Sequence, residues 1–179
     1  MIRLFAAVEI PAEIAEALAR RQQGLPGARW RPADALHVTL RFFGEVSEET
    51  AGEIDAGLAD IRAAPFSLEL SGAGAFGEGA EVRAVWAGLA PSEPLGALHE
   101  RCEHVARRAG LKGEARTYRP HVTLAYLKRA EPDRVAAWIA NHNLLHSPPF
   151  DVGWFGLYSS WLGKDGSRYE LEREYSLIP

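Results

Sequence analysis

Hydrophobic and polar positions change period several times along this chain, and each change marks an element. Ile2–Glu9 is short and nearly all apolar, which reads as a buried strand. Pro11 suits a first helical turn, and Ile14, Ala15, Leu18 and Ala19 form an apolar stripe at helical spacing that ends near Gly24. After the turn Leu25-Pro26-Gly27, Trp30-Arg31 begins a short strand, and the loop through Pro32 and Asp34 leads into an alternating strand closed by Gly44. Ser47 suits the cap of a helix whose stripe is Ile54, Leu58 and Ile61, and Phe66–Leu70 alternates as a half-buried strand. Val82–Trp86 is a further strand. Ser92 then caps a helix over 93–109, with Leu95, Leu98, Cys102 and Val105 inward and Gly110 as its stop. A helix near 132–142 turns Val135, Trp138 and Ile139 inward. Strands over Phe150–Trp161 and Tyr169–Leu177 are joined by a hairpin turn at Lys164-Asp165-Gly166. This order of elements predicts an α+β fold of mostly antiparallel sheets with outer helices.

Part of the pattern occurs twice. Leu36-His37-Val38-Thr39-Leu40-Arg41-Phe42-Phe43 and Pro120-His121-Val122-Thr123-Leu124-Ala125-Tyr126 share His-Val-Thr-Leu, 84 positions apart, and Pro65-Phe66 recurs as Pro149-Phe150 at the same offset. A recurrence near half the chain length predicts an internal duplication: pseudo-repeats of about 1–90 and 91–179 within one bilobal domain, 1–179. On a continuous strand alternate side chains share a face. His37, Thr39 and Arg41 are then expected on one face with Val38, Leu40 and Phe42 on the other. Likewise His121 and Thr123 are set against Val122, Leu124 and Tyr126.

Composition narrows the function classes. The chain has 179 residues, 47% hydrophobic and 25% charged, with no apolar run of membrane-spanning length. The start is soon interrupted by Glu9 and Pro11, unlike a signal peptide, and Cys102 is the one cysteine, so a cytoplasmic protein without an internal disulfide is expected. A net charge of −4 argues against sequence-blind binding of long nucleic acid while leaving room for a local basic cleft.

Two other patterns carry less. Gly72-Ala73-Gly74-Ala75-Phe76-Gly77 has the letters of a dinucleotide-binding turn, but a strand follows where a helix is needed, so a turn or bulge is expected. His99, Cys102 and His104 lack a common face and a fourth ligand; exposed helix histidines beside a buried thiol are expected, with His142 and His146 structural. No cofactor or metal is expected.

The paired motifs resemble those of the 2H phosphoesterase superfamily, and two imidazoles and two hydroxyls suit the reaction that this resemblance implies, the opening of a 2′,3′-cyclic phosphate by water. One neutral histidine takes the proton of water, and one protonated histidine supplies the departing ribose oxygen. The threonines donate to the non-bridging oxygens. The paired His-x-Thr motifs, with Arg3-Leu4-Phe5-Ala6 and Arg119-Pro120-His121-Val122-Thr123-Leu124, resemble the 2H phosphoesterase superfamily, and within it the RNA 2′,3′-cyclic phosphodiesterase (2′-5′ RNA ligase) branch. The resemblance runs from Phe5 to the final hairpin. It implies two pseudo-symmetric lobes around an active-site cleft, hydrolysis to a 2′-phosphate, and RNA 3′ ends or nucleotides bearing a cyclic phosphate as substrate; separately, a monomer with no membrane or protein partner is expected. It also implies His37 as proton donor, His121 as proton acceptor, Thr39 and Thr123 beside them, and the reverse 2′-5′ ligation. Some relatives carry Arg where this chain has Tyr126, so the candidates for a substrate-binding cation are Arg41, Arg119, Lys128 and Arg129. The rivals are a 2H phosphodiesterase acting on a small cyclic nucleotide or ADP-ribose cyclic phosphate, and a non-catalytic binder of RNA ends. Trp30, Phe43 and Tyr158 are candidates for stacking a terminal base.

Overall fold

Residues 1–164 and 166–179 are described by the computed structural model, so Asp165 of the expected hairpin turn lies outside the described residues. In chain order the described elements are β1 (Ile2–Glu9), α1 (Ala12–Ala19), β2 (Arg29–Trp30), β3 (His37–Val46), α2 (Glu48–Ala59), β4 (Phe66–Leu68), β5 (Leu70–Phe76) and β6 (Ala84–Leu89). There follow α3 (Glu93–Arg108), β7 (His121–Tyr126), α4 (Pro132–His142), β8 (Phe150–Val152), β9 (Trp154–Gly163) and β10 (Gly166–Ser176). The offset of the sequence repeat recurs in the elements. Glu48 and Pro132 open α2 and α4, Phe66 and Phe150 open β4 and β8, and Leu70 and Trp154 open β5 and β9.

The fold is α+β, with two four-stranded antiparallel sheets ordered β10-β9-β1-β3 and β2-β7-β6-β5, and a two-stranded pair β4-β8. Each large sheet draws on both halves of the chain. The β5–β6 hairpin pairs through β6 with β7 of the second half, while β9 and β10 cross back to join β1 through β9. The two histidine strands thus lie in different sheets and approach each other at the centre.

Local chemistry explains the helices. Ser47 Oγ accepts from the Thr50 amide at 3.1 Å and Ser92 Oγ from the Leu95 amide at 3.2 Å; each such cap contributes about 1 kcal/mol. Gly110, with φ +83°, stops α3. The helix stripes meet the sheets through fully buried Ile54, Leu58, Leu95 and Leu98, each contributing roughly 1.5–3 kcal/mol over exposure. Several boundaries depart from the sequence reading: the strand expected over Phe66–Leu70 breaks at Glu69 into β4 and β5, and the one expected over Val82–Trp86 runs from Ala84 to Leu89. α1 ends at Ala19, and its exit is closed by turn bonds from Arg21 to Leu18 and Gln22 to Ala19. β3 runs past Gly44 to Val46, because Gly44 takes φ +75° inside an irregular ladder instead of closing it. The strand expected over Phe150–Trp161 breaks at Gly153, so β8 pairs with β4 and β9 with β1. Gly72 (φ +77°) sits at a register shift in β5, the expected bulge, and only a single 3-10 turn, Gly79–Glu81, separates β5 from β6 among the described residues. Among the described residues no helix is long and apolar enough to cross a membrane.

Candidate active site

The two histidine strands share a defect. In β3, Thr39 pairs with Ala7 and Arg41 with Ala6, leaving Leu40 as an extra residue; in β7, Thr123 pairs with Trp86 and Ala125 with Val85, leaving Leu124. A bulge therefore follows each His-x-Thr at the same position, and an inserted residue reverses which face the next side chains take. The faces expected from simple alternation hold from His37 to Leu40 and fail beyond. Arg41 turns inward with 8% exposure and Phe42 outward with 58%; in the second copy Ala125 is buried and Tyr126 is 43% exposed. Side chains from outside the strands hold the bulge carbonyls. His99 Nδ1 donates to Leu40 O at 2.7 Å, and Gln22 Nε2 donates to Leu124 O at 3.0 Å.

The imidazoles are fixed alike. His37 Nδ1 donates to the carbonyl of Ala35 at 2.8 Å, and His121 Nδ1 to that of Arg119 at 2.7 Å, each two residues back. A carbonyl only accepts, so Nδ1 carries the proton in both and Nε2 is the atom left for proton transfer. His37 Nε2 lies 3.1 Å from Thr39 Oγ1. Both rings are half-buried and walled by aromatics: Phe5 stacks on His37 at 5.0 Å with Tyr169 edge-on at 5.2 Å, while Phe76 meets His121 edge-on at 4.7 Å. Burial drives the proton affinity of His37 down to about 4, reinforced by the charges of Arg31 and His121 and opposed by the bond to Ala35. Burial also lowers that of His121, opposed by the bond to Arg119.

The four motif side chains meet. His37, Thr39, His121 and Thr123 line one cavity of about 40 Å³ together with Arg31 and Tyr169. This opens into a cleft of about 700 Å³ that shares Thr39, His121 and Thr123 and continues over Phe42, Phe76, Tyr118 and Arg119. Of the cations named from sequence, Arg119 and Arg41 both line this cleft, but Arg41 is ion-paired within its wall. Its guanidinium donates to the Glu103 carboxylate and the Phe42 carbonyl, and to Lys112 O at 2.7 Å. Glu103 also accepts from the Glu114 amide at 2.9 Å and from Arg107 at 3.1 Å, so the pair anchors the connection that delivers Tyr118 and His121. Lys128 and Arg129 are exposed after β7 and do not line either cavity.

Arg31 was overlooked as a site residue. Its one sequence signal is a cation beside Trp30 and Pro32 just ahead of the first motif; the fold brings it across to β7, where its amide bonds Leu124 O at 2.8 Å. His99, expected to be exposed, is buried and stacked on Tyr118 at 3.8 Å, because the bulge carbonyl needs a donor and α3 supplies it. Tyr118 OH in turn donates to Thr39 O at 2.8 Å. His104 is exposed, and His142 stacks on Trp138 at 4.3 Å. Of the expected stacking aromatics, Phe43 is buried, Trp30 packs on Trp138 and Tyr158 packs on Phe5; Phe42, Phe76 and Tyr126 face the cleft instead. Among the described residues no cluster of three or more His, Cys, Asp or Glu side chains is spaced to hold a metal ion.

Comparison with known proteins shows the family and the fold. The family described as the 2′-5′ RNA ligase superfamily matches residues 9–160. The RNA 2′,3′-cyclic phosphodiesterase of Aeropyrum pernix is 42% identical over 96 residues, 53% of this chain and 54% of that protein. The Escherichia coli protein of the same name is 32% identical over 185 residues, covering 98% of this chain and 96% of its own length. The crystal structure of E. coli LigT complexed with 3′-AMP matches with a TM-score of 0.82 at 30% identity, covering 99% of both chains. With a family match across most of its length and the paired motifs in one cavity, this chain belongs to the 2′-5′ RNA ligase superfamily.

Proposed function

We propose that this chain, as a single bilobal unit, hydrolyses the 2′,3′-cyclic phosphate at an RNA 3′ end to a 2′-phosphate. The observation that carries the reading is that both His-x-Thr sets line one small cavity, with Nδ1 of each histidine occupied by a carbonyl and Nε2 left for chemistry. Relatives named RNA 2′,3′-cyclic phosphodiesterase at similar length support the substrate class. In this reading His121 Nε2 takes a proton from water as its oxygen bonds phosphorus. The bond from phosphorus to O3′ breaks, and His37 Nε2 gives its proton to that oxygen. The hydroxyls of Thr39 and Thr123 donate to the non-bridging oxygens, and Arg119 contacts the RNA backbone along the cleft. Burial lowers the proton affinity of His37, and the negative charge of a bound phosphate raises it again for the acid role. A 5′-hydroxyl in place of water gives a 2′-5′ linkage by the same steps, and no metal takes part.

The test is an oligoribonucleotide ending in a 2′,3′-cyclic phosphate, incubated with the protein in EDTA and read by phosphorus NMR. Conversion to the 2′-phosphate is expected. An unchanged cyclic phosphate, or activity that returns only with a divalent ion, contradicts the proposal.

A further inference from the structure

Arg31 is the one cation that lines the small cavity with all four motif residues among the described residues, yet none of the chemistry above uses it. Its side chain is 7% exposed. A buried guanidinium normally sits against a carboxylate, because an unpaired buried charge costs several kcal/mol. Among the described residues no carboxylate lies within ion-pair distance of it. The partners it does have are weaker. Nη2 donates to Ser167 O at 3.1 Å, and its carbon stands 5.3 Å from the Tyr169 ring centroid and 5.7 Å from that of Tyr126. Two ring faces and one carbonyl hold the group in place on the cavity wall.

The backbone of Arg31 is pinned as firmly. Its amide donates to Leu124 O at 2.8 Å, and its carbonyl accepts from Gln22 Nε2 at 2.8 Å. The same Gln22 amide holds the bulge carbonyl of Leu124. Arg31 is thereby fixed to the strand that carries His121 and Thr123, while Tyr169 ties it to the ring of His37. A cation preset beside both imidazoles is suited to a charge that must be held on the phosphate through the transition state, since it needs no rearrangement when the anion arrives.

We infer that Arg31 is the phosphate-binding cation of this site, contacting a non-bridging oxygen from between Tyr126 and Tyr169. This rests on the proposed phosphodiesterase reading for the substrate, but anion binding at Arg31 is measurable without turnover. The charge of Arg31 already acts on the cavity, as one of the influences that disfavour a proton on His37.

The experiment compares Arg31→Met and Arg31→Gln with the parental protein by calorimetric binding of two dinucleotides, one ending in a 2′-phosphate and one without it. Glutamine keeps a donor for Ser167 O and removes the charge, which separates packing from electrostatics. Both variants are expected to bind the phosphorylated dinucleotide about 10- to 100-fold more weakly, as for loss of a hydrogen bond to a charged group, with the unphosphorylated one unchanged. Parental affinity in the folded Gln variant, or equal losses for both dinucleotides, overturns the assignment. Binding is read apart from hydrolysis, so a parental protein that leaves the cyclic phosphate intact refutes the phosphodiesterase reading and leaves the Arg31 result standing. On the Arg31→Met background, Tyr126→Arg returns a guanidinium to the same cavity wall and is expected to recover phosphate-dependent binding.

Discussion

The two half-sites are built alike and surrounded differently. Each has a histidine bonded through Nδ1 to the carbonyl two residues back, a threonine two residues on, a bulge at the next leucine and an exposed aromatic two residues further. The surroundings part ways from there. His37 lies between Phe5 and Tyr169, shares Nε2 with Thr39 and has Arg31 nearby; His121 meets Phe76 and faces the wide cleft. The residue after the bulge is Arg41, locked onto Glu103, in one lobe and a buried Ala125 in the other. One strand device thus aims two imidazoles, and the packing around each sets its affinity for a proton. In the proposed reaction one must act as acid and the other as base; burial lowers the proton affinity of both, so the charge of the bound phosphate has to raise that of His37.

The comparison breaks most visibly at the histidines. His37→Ala and His121→Ala are each expected to reduce kcat about 10²–10⁴-fold with the fold retained, and a steady-state assay on the cyclic-phosphate oligonucleotide checks this. Arg41 separates the lobes by stability. Arg41→Met takes one partner from the buried Glu103 carboxylate, which keeps Arg107 and the Glu114 amide, and a loss of about 1–3 kcal/mol is expected in denaturant unfolding, while a change at Ala125 leaves no charged group without its partner. Retained stability in Arg41→Met would remove the anchoring role. The threonines come next. Thr39→Val and Thr123→Val each lower kcat about 10²–10³-fold, but only Thr39→Val also moves the titration of His37, because only that hydroxyl bonds its own histidine. Equal titrations in the two variants would erase the asymmetry.

The smallest effect is in pH. With the proton affinity of His37 lowered from 6.5 to about 4 in the folded chain, the unfolded chain binds the extra proton between those values. The stability contributed by neutral His37 is therefore complete above about 6.5 and is lost as pH falls toward about 4. His37→Asn is expected to flatten that part of the stability profile, read from unfolding midpoints across the range.

Much of this arrangement was legible in the chain. The 84-residue echo located both motif strands, and Ser47 and Ser92 marked the helix starts, because caps and repeats are local signals. What failed was phase. Phe42 and Phe43 are both apolar, as are Ala125, Tyr126 and Leu127, so the sequence does not mark where the phase slips; strict alternation read through the bulge and put Phe42 in the core. Arg31 and His99 escaped for another reason. Their partners, Leu124, Ser167 and Leu40, are 59 or more positions away, and no local pattern encodes a contact across sheets.

The division of labour between the lobes is tested most directly by pH–rate profiles of kcat/KM for the parental protein and the two single-histidine alanine variants on the same oligonucleotide. The parental curve is expected to be bell-shaped. His37→Ala should lose the fall at high pH, where the proton donor is spent, and His121→Ala the fall at low pH, where the acceptor is blocked. A bell that survives intact in either variant would contradict the pairing of His37 and His121 as acid and base.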